Sequence, residues 1–323
     1  MLANISFGQQ LPLYSQYAYN KYLINPAHAG SDGFTSFTAS AREQWIGYDG
    51  APRTYSISFQ ARVLKDEYKL KKNIFGNTKY RPKTDGKVGF GAYIYSDNNG
   101  LVHRTGIQTS YSYHTWIQDY TQLSFGLGLS AYHMQIRANE QSFEDPNEPW
   151  LNDQMRRGII VPDVDFGIYL LNPHYDIGFS ALQLFGANIK LGQDYEKYRN
   201  YWMDRHYYLF GSYTFESGVK SYFQLQLLLK ISEQLRPQLD MGCTYIYDNK
   251  FWLGLHYRTE SAIIATARFK VWPSKVMLHT LYVGYAFDYT TNKIQQCTYG
   301  SHEVVISLKF GAIDKRFRWF DRY

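Results

Sequence analysis

Residues 122–131 read Gln-Leu-Ser-Phe-Gly-Leu-Gly-Leu-Ser-Ala, so from Leu123 to Ala131 every second side chain is apolar and each one between is small or polar. Such a period of two describes a strand whose two faces meet two different solvents. Upstream, residues 105–115 alternate in the same way, with Ile107, Thr109, Tyr111 and Tyr113 on one face and Gln108, Ser110, Ser112 and His114 on the other. A short link around Ile117 to Asp119 joins the two runs. The spacing predicts a long antiparallel hairpin of strands of about ten residues, since a parallel pair would need a crossover of a dozen residues or more.

Composition says which two solvents these are. The chain has 323 residues and 45% hydrophobic residues, with no apolar run long enough for a membrane-spanning helix. It carries 31 tyrosines, 20 phenylalanines and 7 tryptophans, a surplus beyond the needs of an ordinary water-soluble core and suited to strands that carry aromatic girdles at two membrane interfaces. A net charge of +6 without a continuous basic stripe gives no reason to expect a nucleic-acid partner. Cys243 falls on an apolar strand face and Cys297 in a polar connection, so no disulfide framework is expected.

The same alternation recurs along the chain. It predicts strands over residues 34–42, 54–62, 87–95, 105–115, 122–131, 163–170, 175–181, 205–215, 222–231, 238–247, 251–258, 262–270, 277–288 and 302–310, about fourteen in all. The run Asp97-Asn98-Asn99-Gly100 is read as a turn. The predicted fold class is therefore all-β, a transmembrane antiparallel β-barrel spanning residues 34–311. Ahead of it, residues 1–8 read as a remnant of a signal peptide lacking the basic start, so the numbering is expected to begin inside a longer precursor. Residues 9–33, rich in tyrosine, are expected to fold into the barrel from the periplasmic side and fill its lumen. Residues 312–323 form a basic, aromatic tail with Lys315, Arg316, Arg318 and Arg322.

Two observations favour a membrane barrel over a soluble sandwich or propeller. No repeat of 40 to 50 residues appears, as propeller blades would require. The non-apolar faces carry Gly, Ser, Thr and Gln interrupted by charges of both signs: Arg62, Asp165, Asp176, Asp240, Arg258, Arg268 and Asp288. These are the expected lining of a polar lumen whose ions pair with one another. With a periplasmic N-terminus, the long connections 136–158, 185–202 and 289–300 all fall outside. The turns at 117–119, near Asn172, and at 217–220, 248–250 and 273–276 are short and periplasmic. One basic connection, 63–86, is long on the periplasmic side.

Chemistry is scarce. Gly86-Lys87-Val88-Gly89-Phe90-Gly91 has its glycines in strand register and no helix after it, so it is no phosphate loop. Ser301, His302 and Glu303 are adjacent in a strand and alternate between faces, so they cannot form a triad. His103, His114, His133 and His174 lack metal-ligand spacing. The acidic run Asp145-Pro146-Asn147-Glu148-Pro149 does not match an EF-hand loop and leaves only a weak calcium reading. The expectation is a non-enzymatic protein without cofactors.

Several runs in order resemble the PorP/SprF family of the Bacteroidetes type IX secretion and gliding systems. They are Gln16-Tyr17 with Asn25-Pro26-Ala27-x-Ala29-Gly30, Arg42-x-Gln44-Trp45-x-Gly47-x-x-Gly50-Ala51-Pro52, Phe251-Trp252-Leu253-Gly254 with Tyr257-Arg258, Gly284-Tyr285 with Asp288-Tyr289, and Gly300-Ser301-His302-Glu303. The likeness runs from about residue 14 to 311. It implies an outer-membrane barrel, in contact with outer-membrane lipid, that works with the type IX apparatus. Some members of the family serve particular cargo, such as gliding adhesins with type B C-terminal domains, and others are linked to periplasmic ring or peptidoglycan-anchoring components. Two features depart from the family's pattern: the longer basic segment 64–87 and the tail 312–323.

On this reading Gln44, Trp45, Gly47, Tyr48, Gly50 and Pro52 form an external partner-binding loop, with Trp45 as a rigid aromatic anchor and the two glycines permitting close backbone approach. A loop that merely folds over the barrel mouth is an equal reading of the same residues. The alternative function is an outer-membrane channel or hydrophobic-solute transporter.

Overall fold

The computed structural model describes residues 11–63, 87–118, 120–136, 158–186, 188–189, 201–202, 204–233, 235–273 and 279–310. The basic segment 64–86, the acidic run 139–153, residues 1–8 and the tail 312–323 lie outside the described residues.

Fourteen strands form a closed antiparallel barrel: β1 (Thr35–Glu43), β2 (Arg53–Val63), β3 (Val88–Asn99), β4 (Val102–Gln118), β5 (Thr121–Ile136), β6 (Ile159–Leu171), β7 (Tyr175–Leu182), β10 (His206–Glu216), β11 (Ser221–Ser232), β12 (Gln238–Tyr247), β13 (Phe251–Arg258), β14 (Ala262–Pro273), β15 (His279–Thr290) and β16 (Ser301–Phe310). A separate two-stranded ladder, β8 (Asn188–Ile189) and β9 (Tyr201–Trp202), stands in the connection from β7 to β10. Each barrel strand pairs with the next barrel strand along the chain, β7 with β10 among them, and β1 closes on β16 from Thr35 opposite Phe310 to Glu43 opposite His302. Closure removes every edge, which is what allows a sheet to stand in hydrocarbon. No helix among the described residues is long and apolar enough to cross a membrane.

Burial is inverted relative to a water-soluble protein. Ser112, Ser124, Gln122 and Thr54 are fully buried, whereas Ile57, Leu129 and Leu255 are more than 60% exposed. The polar face of each strand is therefore the inner one and the apolar face the outer one. Exposed aromatics collect near both ends of the strands: Tyr113, Phe215, Tyr247 and Phe251 toward one, and Tyr55, Tyr257 and Tyr289 toward the other. These are two interfacial girdles. The end at which β1 begins carries short turns such as 172–174 and 248–250, the kind that outer-membrane barrels turn to the periplasm, although the connection 64–87 also leaves from it and the two-residue link 100–101 lies at the other end. The opposite end carries the long connections 137–158, 183–205 and 291–300.

Two local expectations need correction. The central hairpin is longer than ten residues per strand, because the alternation persists past its polar ends. The run Asp97-Asn98-Asn99-Gly100 is not all turn: β3 continues through Asn99, with Asn98 opposite His103 and Asn99 opposite Val102 on β4, and Thr54 donates from Oγ1 to Asp97 Oδ1 (2.6 Å) on its other side. The link to β4 shortens to Gly100-Leu101, where Gly100 takes the left-handed conformation (φ +58°).

Candidate functional site

Residues 11–34 do not join the sheet. They contain three short 3₁₀ turns, Tyr17–Tyr19, Lys21–Leu23 and Pro26–His28. The last is set by Pro26 at its first position and by Asn25, whose side chain accepts the Ala27 N–H (2.8 Å). At the other end of the segment, Asp32 Oδ1 accepts the Phe34 N–H (2.9 Å) and delivers the chain into β1.

The inward side chains of the strands hold this segment on every side. Ser15 is a hub: its N–H donates to Glu303 (2.7 Å), its Oγ donates to Asp288 (2.6 Å), and it accepts from Arg42 Nη1 (2.8 Å). Arg42 also pairs with Asp288 (2.7 Å) and Glu303 (3.2 Å). Arg258 donates from Nε to both oxygens of Asp240 (3.0 Å), reaches Asp288 at 3.7 Å, and donates to the Tyr14 carbonyl (3.4 Å). Lys230 completes the cluster against Asp240 (3.0 Å). Arg42, Arg258 and Lys230 thus balance Asp240, Asp288 and Glu303, and neutrality by pairing is the condition for keeping so many charges out of water.

Lower in the barrel, Arg268 stacks on Tyr19, Trp252 and Tyr282 at 4.3–5.0 Å. Lys21 pairs with Asp176 (2.6 Å), Tyr22 donates to Ser110 (3.1 Å), and Asn25 donates to the carbonyls of Ile168 and Phe179. Near the periplasmic end, Ser112 donates to the Ala29 carbonyl (2.6 Å), Gln122 to the Ser31 carbonyl (3.1 Å), and Lys309 pairs with Asp32 (3.0 Å). Glycines make the room: a Cβ at Gly89, Gly126 or Gly167 would overlap Ala29, Ala27 or Asn25 respectively. Gly126→Ala is therefore expected to cost about 1–3 kcal/mol through overpacking. The check is the midpoint of heat-induced unfolding, followed by the gel mobility of the folded barrel.

These contacts give the segment a direction. Tyr14 and Ser15 sit among the strand ends that lead to the long connections, and Gly30 to Asp32 sit at the opposite end. From residue 14 to 34 the chain therefore descends toward the periplasmic end.

All seven residues read from sequence as lumen-lining are buried, but they do not form one site. Arg258, Asp240 and Asp288 share the upper cluster. Asp176 and Arg268 meet the segment, Arg62 donates to Gln122 (2.8 Å), and Asp165 accepts the Gln183 N–H (2.9 Å). Sequence reasoning missed Arg42, Glu303, Lys230, Ser15, Lys21, Asp32 and Lys309. The signal was present for Arg42 and Glu303, both of which lie on the polar face of an alternating strand. Among the described residues, no group of three or more His, Cys, Asp or Glu could hold a metal ion.

The loop 44–52 is closed at its base by the Gln44 N–H on the Pro52 carbonyl (2.9 Å), and both of these residues are buried. It is tied to the β15–β16 connection by the Ile46 N–H on Gly300 O (2.9 Å), the Tyr299 N–H on Ile46 O (2.8 Å) and the Trp45 N–H on Ser301 Oγ (3.1 Å). Trp45 takes a left-handed backbone (φ 48°) and is half-buried, whereas Tyr48 and Tyr299 are 53% and 82% exposed. Gly47 (φ +98°) lies against the Tyr299 ring and Gly50 (φ +70°) packs near Gly100, so neither position suits a side chain. The two loops make one surface, and its exposed aromatics are the tyrosines.

The family described as type IX secretion system membrane protein PorP/SprF matches residues 6–308 of this chain. No curated protein matches it. Among solved structures, the chain is similar to the CymD monoaromatic hydrocarbon channel (9% identity, TM-score 0.47, covering 86% of this chain and 88% of that one). It is also similar to a Pseudomonas aeruginosa FadL homologue (10%, 0.45, 94% and 94%) and to the P. putida toluene transporter TodX (10%, 0.44, 89% and 92%). At these identities and scores the likenesses carry no argument about function.

Proposed function

The chain belongs to the PorP/SprF family of type IX secretion system membrane proteins, in the outer membrane, and from that membership we propose that it is a closed platform that receives secreted cargo at the cell surface. Residues 11–34 occupy the lumen, and the joined loops 44–52 and 297–301 form the docking face. The observation that carries this reading is the hydrogen bonding of the segment to inward side chains on opposite walls. A stopper so held makes the barrel a rigid stand for external loops, and cargo recognition falls to those loops. The partner is a cargo or adhesin C-terminal domain, with periplasmic or outer-membrane components of the same apparatus engaging the other end.

The test is binding of a purified cargo C-terminal domain to the barrel in detergent. Tyr48→Ala together with Tyr299→Ala is expected to weaken it about 10–100-fold, as loss of exposed aromatic anchors does. Trp45→Ala, which removes a half-buried side chain, is expected to act less strongly. Binding unchanged in the double variant, with the barrel still folded, rejects the loop surface as the docking face.

A further inference from the structure

The outer wall of the barrel carries a furrow along β1. On its lipid-facing side β1 presents Phe37, Ala39 and Ala41 in succession, so two small residues follow one large ring. Register sets Ala39 between Ile57 and Ile306, and Ala41 between Tyr55 and Val304. The bulky neighbours on β2 and β16 thus wall a trough floored by two methyl groups. Strands lie about 4.8 Å apart, so the walls stand ~10 Å from each other. The depression has a volume of about 640 Å³ and extends across β2 to Ala92 and Ile94 of β3.

Its two ends differ. At the inner end the rings of Phe37, Phe59 and Phe310 close it, with centroids 4.9 and 6.0 Å from Phe37. At the outer end it opens onto a row of polar residues at one level: Glu43 opposite Arg53, Arg53 opposite Asn98, and Asn98 opposite His103. Asn98 and His103 are hydrogen-bonded to each other, and the Tyr55 hydroxyl donates to Glu43 (3.4 Å). Arg53 is 60% exposed and holds Glu43 only loosely, at 3.8 Å. The side of Arg53 toward Asn98 and His103 therefore faces outward at the level where lipid headgroups lie, while Glu43 disfavours an anion on the other side.

We propose that this furrow is a binding site for a phosphate-bearing lipid of the outer leaflet, one acyl chain lying along β1 and the phosphate meeting Arg53 on its Asn98 and His103 side. Length supports the assignment. From Ala41 to Phe37 the strand advances ~13 Å, close to the ~15 Å of hydrocarbon in one leaflet. Chemistry supports it too. The trough is walled mostly by hydrocarbon and aromatic carbon, which suits a chain-like apolar group. A cation above it selects for an anionic headgroup over a zwitterionic one. The occupant is lipid and not the N-terminal segment, which is held on the opposite, inner face of the same strands.

The experiment uses the full chain in nanodiscs of phosphatidylcholine doped with phosphatidylglycerol, with lipids that stay bound read by native mass spectrometry after release. The wild type is expected to retain one phosphatidylglycerol in preference to phosphatidylcholine. Arg53→Gln is expected to reduce that preference about fivefold, the effect of one basic residue at an anionic surface. Ala41→Phe, which fills the trough from the lipid side, is expected to abolish retention. Ala39→Leu serves the same purpose should the larger ring impair assembly. Equal retention of both lipids by the wild type, or retention unchanged in the filled variants, overturns the proposal. Loss of a co-purifying membrane protein from the filled variants with lipid retention intact would also overturn it, in favour of a protein occupant.

Discussion

Arg258→Ala is expected to be among the most destabilising single substitutions in the barrel, lowering its unfolding free energy by about 3–5 kcal/mol. The guanidinium is 1% exposed and serves two carboxylates and a backbone carbonyl: Asp240, Asp288 and Tyr14 O. Truncation leaves Asp240 with Lys230 alone and the Tyr14 carbonyl without this donor, in a site that three anions share. The cost lies in the charge left behind more than in the pair removed. Arg258→Met combined with Asp240→Leu should therefore cost less than Arg258→Ala, although it removes more polar groups, because Arg42 still pairs with Asp288 and Glu303, and Lys230, which loses Asp240, is 14% exposed and keeps Gln238 (3.4 Å). Urea unfolding in detergent micelles, followed by tryptophan fluorescence, measures both variants. A double variant less stable than the single one would show that the geometry of the pair, and not charge balance, holds the upper cluster.

That cluster also shows how far the sequence could be read. Arg258, Asp240 and Asp288 were legible because each interrupts a row of small polar residues opposite an apolar face, and a period of two needs no partner to be seen. Their mutual contact was not, since the pairing across β12, β13 and β15 depends on register. Glu303 is harder to read, because beside His302 and Ser301 it has the composition of a hydrolytic cluster, and only the alternation of the strand puts it on the inner face. The inward glycines Gly89, Gly126 and Gly167 read as neutral filler in an alternating strand. Their purpose appears only once Ala29, Ala27 and Asn25 lie against them. Residues 11–34 have no period because 3₁₀ turns of three residues are too short to establish one, so tyrosine content alone marked them for burial. The loop 44–52 was recognised, but its support was not: Ile46 bonds to Gly300, and nothing local to either loop announces the other. Hence the anchor was expected at Trp45, and the exposed rings are Tyr48 and Tyr299.

Deleting residues 11–29 is expected to turn a barrel that passes little current across a planar bilayer into one with a steady conductance larger by more than an order of magnitude. Fourteen strands fall between the ~8 whose own side chains fill the interior and the ~16–18 that leave an aqueous channel, so strand number alone does not decide whether this lumen conducts, and its contents do. The deletion need not unfold the sheet. Every strand keeps both neighbours, and the carboxylates that lose partners, Asp176, Asp288 and Glu303, would face water entering the lumen and be solvated there, so the penalty of an orphaned buried charge does not arise. Gly30 and the Asp32–Lys309 pair remain to guide the chain into β1. The same recording separates the two functional readings. A wild-type protein already conducting at the level of the deletion variant would mean that the segment is no stopper and would favour a channel or transporter. A deletion variant that folds yet stays closed would place the barrier in the loops, and the platform would then owe its closure to the surface on which cargo docks.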